Sequence, residues 1–312
     1  MLVFTASLSG NRRPWLRHQR NSRILQLLIC GAFVLLCTRP VHAGECCARG
    51  ELQPPAPSLE HGYQLAYNLD FAGAQQEFSA WQKLHPENAL GPVSEAAGLL
   101  FSEFDRLGIL ESQLFTKDSN FEKRKKPVPD PALRDRFEAA LLRADSLAKS
   151  QLEKDPNNTD ALFAQALSNG LRADYTALIE KRNIASLGYT KDANAAAKKL
   201  LKINPQYYDA YLATGLNDYI VGSLAPPLRW FLHVGGFEGD KKAGIGELKL
   251  AAEHGRFFAP FARMLLAVTY IRDKDPSRAR ELLAGLREQF PANPLFAREI
   301  ARLDHNHGSG GE

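Results

Sequence analysis

Four stretches of this chain stop in nearly the same way: Leu84-His85-Pro86-Glu87-Asn88, Glu153-Lys154-Asp155-Pro156-Asn157-Asn158, Lys202-Ile203-Asn204-Pro205 and Glu288-Gln289-Phe290-Pro291-Ala292-Asn293. Proline has no amide proton to donate and pushes the residue before it out of helical geometry, so each stretch marks a helix end. The Asn and Asp side chains around it suit the cap of the next helix. Between the stops, apolar residues recur at three and four spacing. In 131–154, Leu133, Phe137, Ala140, Leu141, Ala144, Leu147, Ala148 and Leu152 share one helical face, while Arg134, Asp135, Glu138, Arg143, Asp145, Lys149 and Lys154 fall on or beside the other. Beyond Ser58 the alternation that strands need is nearly absent. The spacing predicts an all-α chain of repeated helix, turn, helix units, a solenoid with a period of roughly 34 residues.

Two segments carry this unit most clearly. Pro260 to Pro291 holds Leu266, Ala267 and Tyr270 in a first helix and Ala279, Leu283 and Leu286 in a second; residues 55–86 hold Gly62, Ala74, Phe78, Trp81 and Pro86. Looser units surround Ala166 with Ala193 and Pro205, and Gly215 with Leu248. At these intervals residues 58–303 resemble the tetratricopeptide repeat family, which implies a right-handed superhelix of hairpins. In it the small residues let paired helices approach and the aromatic ones fill the space between hairpins. The reading is five hairpins, two elongated or interrupted, and a capping helix at 294–303 with Arg298, Glu299 and Arg302 outward. An insertion at 108–130 carries Lys117, Lys123, Arg124, Lys125 and Lys126 and is expected to be exposed.

The first 43 residues have a different character. Arg12, Arg13, Arg17, Arg20 and Arg23 precede the apolar run Ile24–Cys37, and Val41-His42-Ala43 stands before Gly44. This reads as a cleavable export signal, with Asn11-Arg12-Arg13 resembling a twin-arginine type. The run is too short for a span of roughly 20 residues, so no stable membrane span is expected after cleavage, and the location is expected to be periplasmic or secreted. Residues 44–57, with Cys46-Cys47 and three prolines, and 304–312 are expected to be disordered tails. Arg39 included, the leader takes six of the 39 basic residues and none of the 35 acidic ones, leaving 33 against 35. That balance argues against nucleic acid as a partner.

Motifs that carry chemistry are scarce. The cluster Gly235-Gly236-Phe237-Glu238-Gly239-Asp240-Lys241-Lys242 lacks the spacing of a phosphate loop and reads as an inter-helix turn, with Gly239-Asp240 starting the next helix. With Pro226 and Pro227 before it, this stretch also resembles two tetratricopeptide branches, a eukaryotic outer-mitochondrial-membrane group and the periplasmic T-component of tripartite solute-binding-protein-dependent transporters. The latter implies docking on a solute-binding protein and an apolar pore in the solenoid. His305-Asn306-His307 is too sparse for a metal site, and His61, His85, His233 and His254 are isolated; no metal, cofactor or catalytic set is expected. Glu95, Glu103 and Glu111 read as a solvated stripe.

What remains is a surface. The family's groove-facing positions, carried across, are Tyr63, Phe163, Leu216, Tyr219, Met264 and Val268, which implies a non-catalytic scaffold that receives a protein or peptide partner of the envelope on its concave face. Inter-hairpin packing is the other reading of each position. A second possibility is a binding module for an apolar or small organic ligand inside the superhelix.

Overall fold

The computed structural model describes residues 56–110 and 125–308, and the account concerns the unit that begins at Pro57. Among the described residues there are twelve α-helices and no strand: α1 (Leu59–Tyr67), α2 (Phe71–Leu84), α3 (Leu90–Arg106), α4 (Pro131–Lys154), α5 (Thr159–Asp174), α6 (Asn183–Ile203), α7 (Tyr211–Ser223), α8 (Pro226–Val234), α9 (Lys241–His254), α10 (Ala259–Arg272), α11 (Pro276–Gln289) and α12 (Pro294–Gly308). They pair as α1·α2, α3·α4, α5·α6, α7·α9 and α10·α11, with α12 against α11. This is the all-α hairpin solenoid that the spacing predicts, and α2, α4, α6 and α11 each end just before one of the four prolines.

The hairpin turns repeat in detail. Leu69 (φ 65°) and Lys274 (φ 59°) turn the first and fifth hairpins through left-handed backbone. Each is followed by an aspartate whose carboxylate accepts an amide proton of the next helix, Asp70 from Gly73 and Asp275 from Arg278. Asp130, Asn158 and Asp240 cap α4, α5 and α9 in the same manner. The expected small contact positions are buried: Ala74 and Ala279 have no exposed surface, Ala267 has 2%, and Phe78 fills the gap beside Gly62.

Four features depart from the sequence reading. Glu103 is not solvated but wholly buried; it takes two bonds from Arg106 at 2.7 Å and one from the Asp130 amide at 2.9 Å, while Arg106 also donates to the Val128 carbonyl. The carboxylate thereby fastens the start of α4 to the end of α3 across the insertion. Residues 226–234, for which the sequence reading named no helix, form one before the glycine turn, because Pro226 and Pro227 suit its first turn and Gly236 (φ 82°) its end. The final helix runs on to Gly308, where Arg280 pairs with Asp304 at 2.8 Å. On that helix Arg298 is exposed as expected, but Glu299 and Arg302 pair with each other and are only 12% and 29% exposed. The leader, Cys46-Cys47, Glu111 and residues 117–124 of the insertion lie outside the described residues.

At the α7·α9 crossing backbone rests directly on backbone. A Cβ built on Gly244 would lie 2.4 Å from the Tyr219 nitrogen and 2.6 Å from the Gly215 carbonyl oxygen, which are backbone atoms that cannot swing aside. Gly244→Ala is expected to cost about 1–3 kcal/mol in denaturant unfolding. Gly246→Ala, two residues along the same helix and facing open space, is expected to be neutral or to gain up to about 1 kcal/mol.

Candidate functional site: an apolar pocket closed by the two ends of the superhelix

In a simple solenoid each repeat touches only its neighbours. Here the first helix also reaches the last repeats. The turn between α9 and α10 presents Arg256, Phe257 and Phe258, and the Asp209 carboxylate holds all three amides, at 2.9, 3.1 and 2.8 Å. Burial pushes the Asp209 carboxyl above its ordinary value, with the three amides and Arg256 pulling the other way. So fixed, Phe257 and Phe258 lie against the Tyr63 ring of α1, with centroids 5.4 and 5.0 Å away. The Tyr67 hydroxyl donates to the Phe257 carbonyl at 3.0 Å, and Arg256 pairs with Glu60. The C-terminal side closes on the same helix: Asn293 Nδ2 donates to the Tyr67 carbonyl at 2.8 Å, and the Ala292 amide to Asn68 Oδ1 at 3.2 Å. One continuous core results, from Leu59 in α1 to Leu303 in α12.

Inside this closure is a pocket of about 120 Å³. Its walls come from both ends of the chain: Tyr67 and Phe71, Phe101 and Phe104 of α3, Leu178, then Phe261, Met264, Val268 and Ile271 of α10, and Phe296 of α12. The polar side chains on the wall are engaged with the protein itself. Asn293 holds Tyr67 and accepts from the Leu295 amide, Glu299 pairs with Arg302, and Asp174 also has a partner. What the pocket offers is apolar surface. An apolar cavity of about 150 Å³ takes a benzene molecule, so this one suits a group of about six heavy atoms, a small ring or the end of an alkyl chain.

Only two of the six expected groove positions meet here. Met264 and Val268 are part-buried and line the pocket. Tyr63, Phe163, Leu216 and Tyr219 do not face a groove; they are 2%, 4%, 7% and 6% exposed and belong to the packing between hairpins. Tyr63 bonds Ser94 and packs edge-on and tilted against Phe258 and Phe257, and Phe163 packs on Tyr207 and that same turn. Leu216 and Tyr219 sit in a second core between α7, α9 and α10. The closure occupies the space that an open superhelix would offer. Family positions found the helix faces, but the residues that shape the pocket, Phe101, Phe104, Phe261 and Phe296, were singled out by no motif; their apolar periodicity was the available signal.

Two polar clusters lie elsewhere. A cleft of about 360 Å³ flanks the π turn Tyr175–Ile179, where Arg134 and Arg182 share Glu180 at 3.9 and 3.2 Å and Arg172 is held by Asp145 at 2.6 Å. Its positive charges are thus matched. Between α7 and α9, Asp218 and Glu247 are half-buried, and burial raises both carboxyls above their ordinary values. Asp218 adds to the effect at Glu247, whereas Thr214 and Lys198 oppose it. Among the described residues no three His, Cys, Asp or Glu side chains are grouped to hold a metal. His61 faces Glu77, His85 packs tilted against Trp81, and His254 against Tyr208.

No family model matches the chain, and no curated protein matches it. Among solved structures, a thermophilic tetratricopeptide repeat protein of Thermus thermophilus is 15% identical, with a TM-score of 0.39, covering 79% of this chain and 98% of that one. The fold assignment itself stands on the hairpin order and packing of this chain.

Loss of the Tyr67 hydroxyl leaves the Phe257 carbonyl without its donor, so Tyr67→Phe is expected to cost about 1 kcal/mol in unfolding. For Glu247 the expected effect depends on pH. The folded state holds the proton more tightly than the unfolded one, so this group's contribution to stability falls as pH rises from the ordinary glutamate value of 4.5 through its raised folded value. Glu247→Gln removes that loss and should raise the melting temperature at pH 7 relative to the parent, with the gain shrinking as pH falls through the raised folded value and gone below 4.5. A gain unchanged at low pH would assign the effect to packing instead.

Proposed function

We propose that this protein is a non-catalytic binding module that holds an apolar small organic ligand, or the apolar end of a larger one, inside its closed superhelix. Helical-hairpin solenoids serve broadly as interaction folds, and a binding role follows from that class. Within it, the observation that favours an internal ligand is the pocket itself: apolar walls drawn from α1, α3, α10 and α12, where the first hairpin meets the last helices. Pockets that bind small molecules are of this kind, mostly apolar and largely preformed. A peptide laid along the concave face would have to displace Tyr63 from Phe257 and Phe258, which the Asp209 bonds oppose. The export signal read from the first 43 residues makes the periplasm or the extracellular space the proposed setting. There a module of this kind would receive its ligand from, or pass it to, another envelope protein.

Native mass spectrometry of protein purified gently from its own cells should show an added mass, and decanoate as a probe should bind the stripped protein with micromolar or tighter affinity. Val268→Trp, which fills the pocket from α10, should abolish both signals while the circular dichroism spectrum stays helical. A bare chain that takes up no decanoate, or a filled variant that binds as well as the parent, would overturn the reading.

A further inference from the structure

Helix α8 has two apolar faces, and the fold uses one. Leu232 is buried against the body and Leu228 is half-buried, whereas Trp230, Phe231 and Val234 are 69%, 66% and 71% exposed. At about 100° per residue, Pro226, Trp230, Val234, Pro227 and Phe231 fall in one outer arc of about 140°. Arg229 and His233 border that arc, and the helix contains no acid. Lys191 brings its amine to the Gly235 carbonyl at 3.4 Å, adding a cation at the C-terminal end. The acids nearest in sequence follow the helix: Asp240 is committed to the Lys242 and Ala243 amides of α9, and Glu238 is exposed, as is Asp192 next to Lys191.

The backbone of α8 closes both of its own ends. Pro226 and Pro227 remove two of the donors that a helix start leaves open, and the Arg229 amide is taken by the Ala225 carbonyl at 2.9 Å. At the other end the amides of Gly235, Gly236 and Phe237 bond the carbonyls of Phe231, His233 and Leu232 at 3.3, 2.9 and 3.0 Å. The left-handed Gly236 makes that closure possible. The same closure ends α1, α3 and α10, so it is a general device of this fold. On α8 it leaves the helix end compatible with a hydrocarbon boundary, where nothing else satisfies loose amides and carbonyls.

We propose that α8 docks the protein on an anionic phospholipid bilayer, laying Trp230, Phe231 and Val234 into the boundary between headgroups and acyl chains while Arg229 and Lys191 meet the phosphates. At nine residues it lies on the membrane and does not cross it. No helix among the described residues is long and apolar enough to do so. A shallow cleft of about 400 Å³ runs beside this face, lined by Pro226, Arg229, Trp230, His233 and Glu238, and the helix's own charge, basic with no acid, is complementary to an anionic surface. The proposal is independent of what the internal pocket holds.

The chain has three tryptophans, and in the full-length protein with Trp15→Phe and Trp81→Phe only Trp230 emits. Mixed with vesicles of phosphatidylethanolamine and phosphatidylglycerol bearing brominated acyl chains, that emission should shift to the blue and be quenched, less so in high salt. Adding Phe231→Glu and Val234→Glu, which leave the reporter in place, should raise the lipid concentration for half-quenching about tenfold or more, with an unchanged melting curve as the folding control. Emission that ignores lipid, or a double variant quenched like its parent, overturns the proposal. So does a blue shift that follows protein concentration without lipid and accompanies dimer formation, which would make the face a contact between two copies.

Discussion

The Asp209 carboxylate gathers the amides of Arg256, Phe257 and Phe258, and the arrangement of the two chain ends follows from that grip. Three backbone donors on one buried acceptor fix the turn between α9 and α10 in a single conformation. Its two phenylalanines then have one place to go, against Tyr63 of the first helix and Phe163 of the fifth. Without the turn the hairpins would still pair, because each pair carries its own interface, but α1 would have nothing to close upon. The pocket exists because two aromatic surfaces meet at that point without filling all the space between them.

Much of the fold was legible in the chain, and the reason is local. A proline at the end of a helix, an aspartate after a left-handed residue, and alanines such as Ala74 and Ala279 at a crossing act within a few residues or one hairpin, so their spacing records them. The site was only half legible. Of the residues that line the pocket, the family positions include Met264 and Val268, which lie on the inner face of a well-formed repeat. Tyr63 and Phe163 lie on inner faces too, but what covers them is Phe257, some 190 and 90 residues further along, and periodicity carries no trace of which distant face will arrive. Glu103 shows the same limit on a smaller scale: its spacing with Glu95 resembled a solvated stripe, yet Arg106 and the Asp130 amide made burial tolerable.

The glycines between 215 and 246 were legible as punctuation but not as packing. Gly236 serves a turn, as its neighbours suggested, while Gly215 and Gly244 allow one helix backbone to rest on another. That close contact forces the intervening chain outward over a short span, and α8 is what the chain builds there. Its inner leucines suffice to hold it, which leaves the aromatic side without a partner in the fold.

The closure also changes what kind of folding unit the chain can be. Stacked repeats ordinarily gain stability one interface at a time, so that ends fray and partial arrays persist. Bonds such as Tyr67 to Phe257 and Asn293 to Tyr67 join residues 190 and 226 positions apart. Contacts of that separation form late and slowly, because the intervening chain must already be ordered for its ends to meet. Once made, they couple the first hairpin to the last, and a protein assembled from repeats acquires the all-or-none cooperativity of a globular domain.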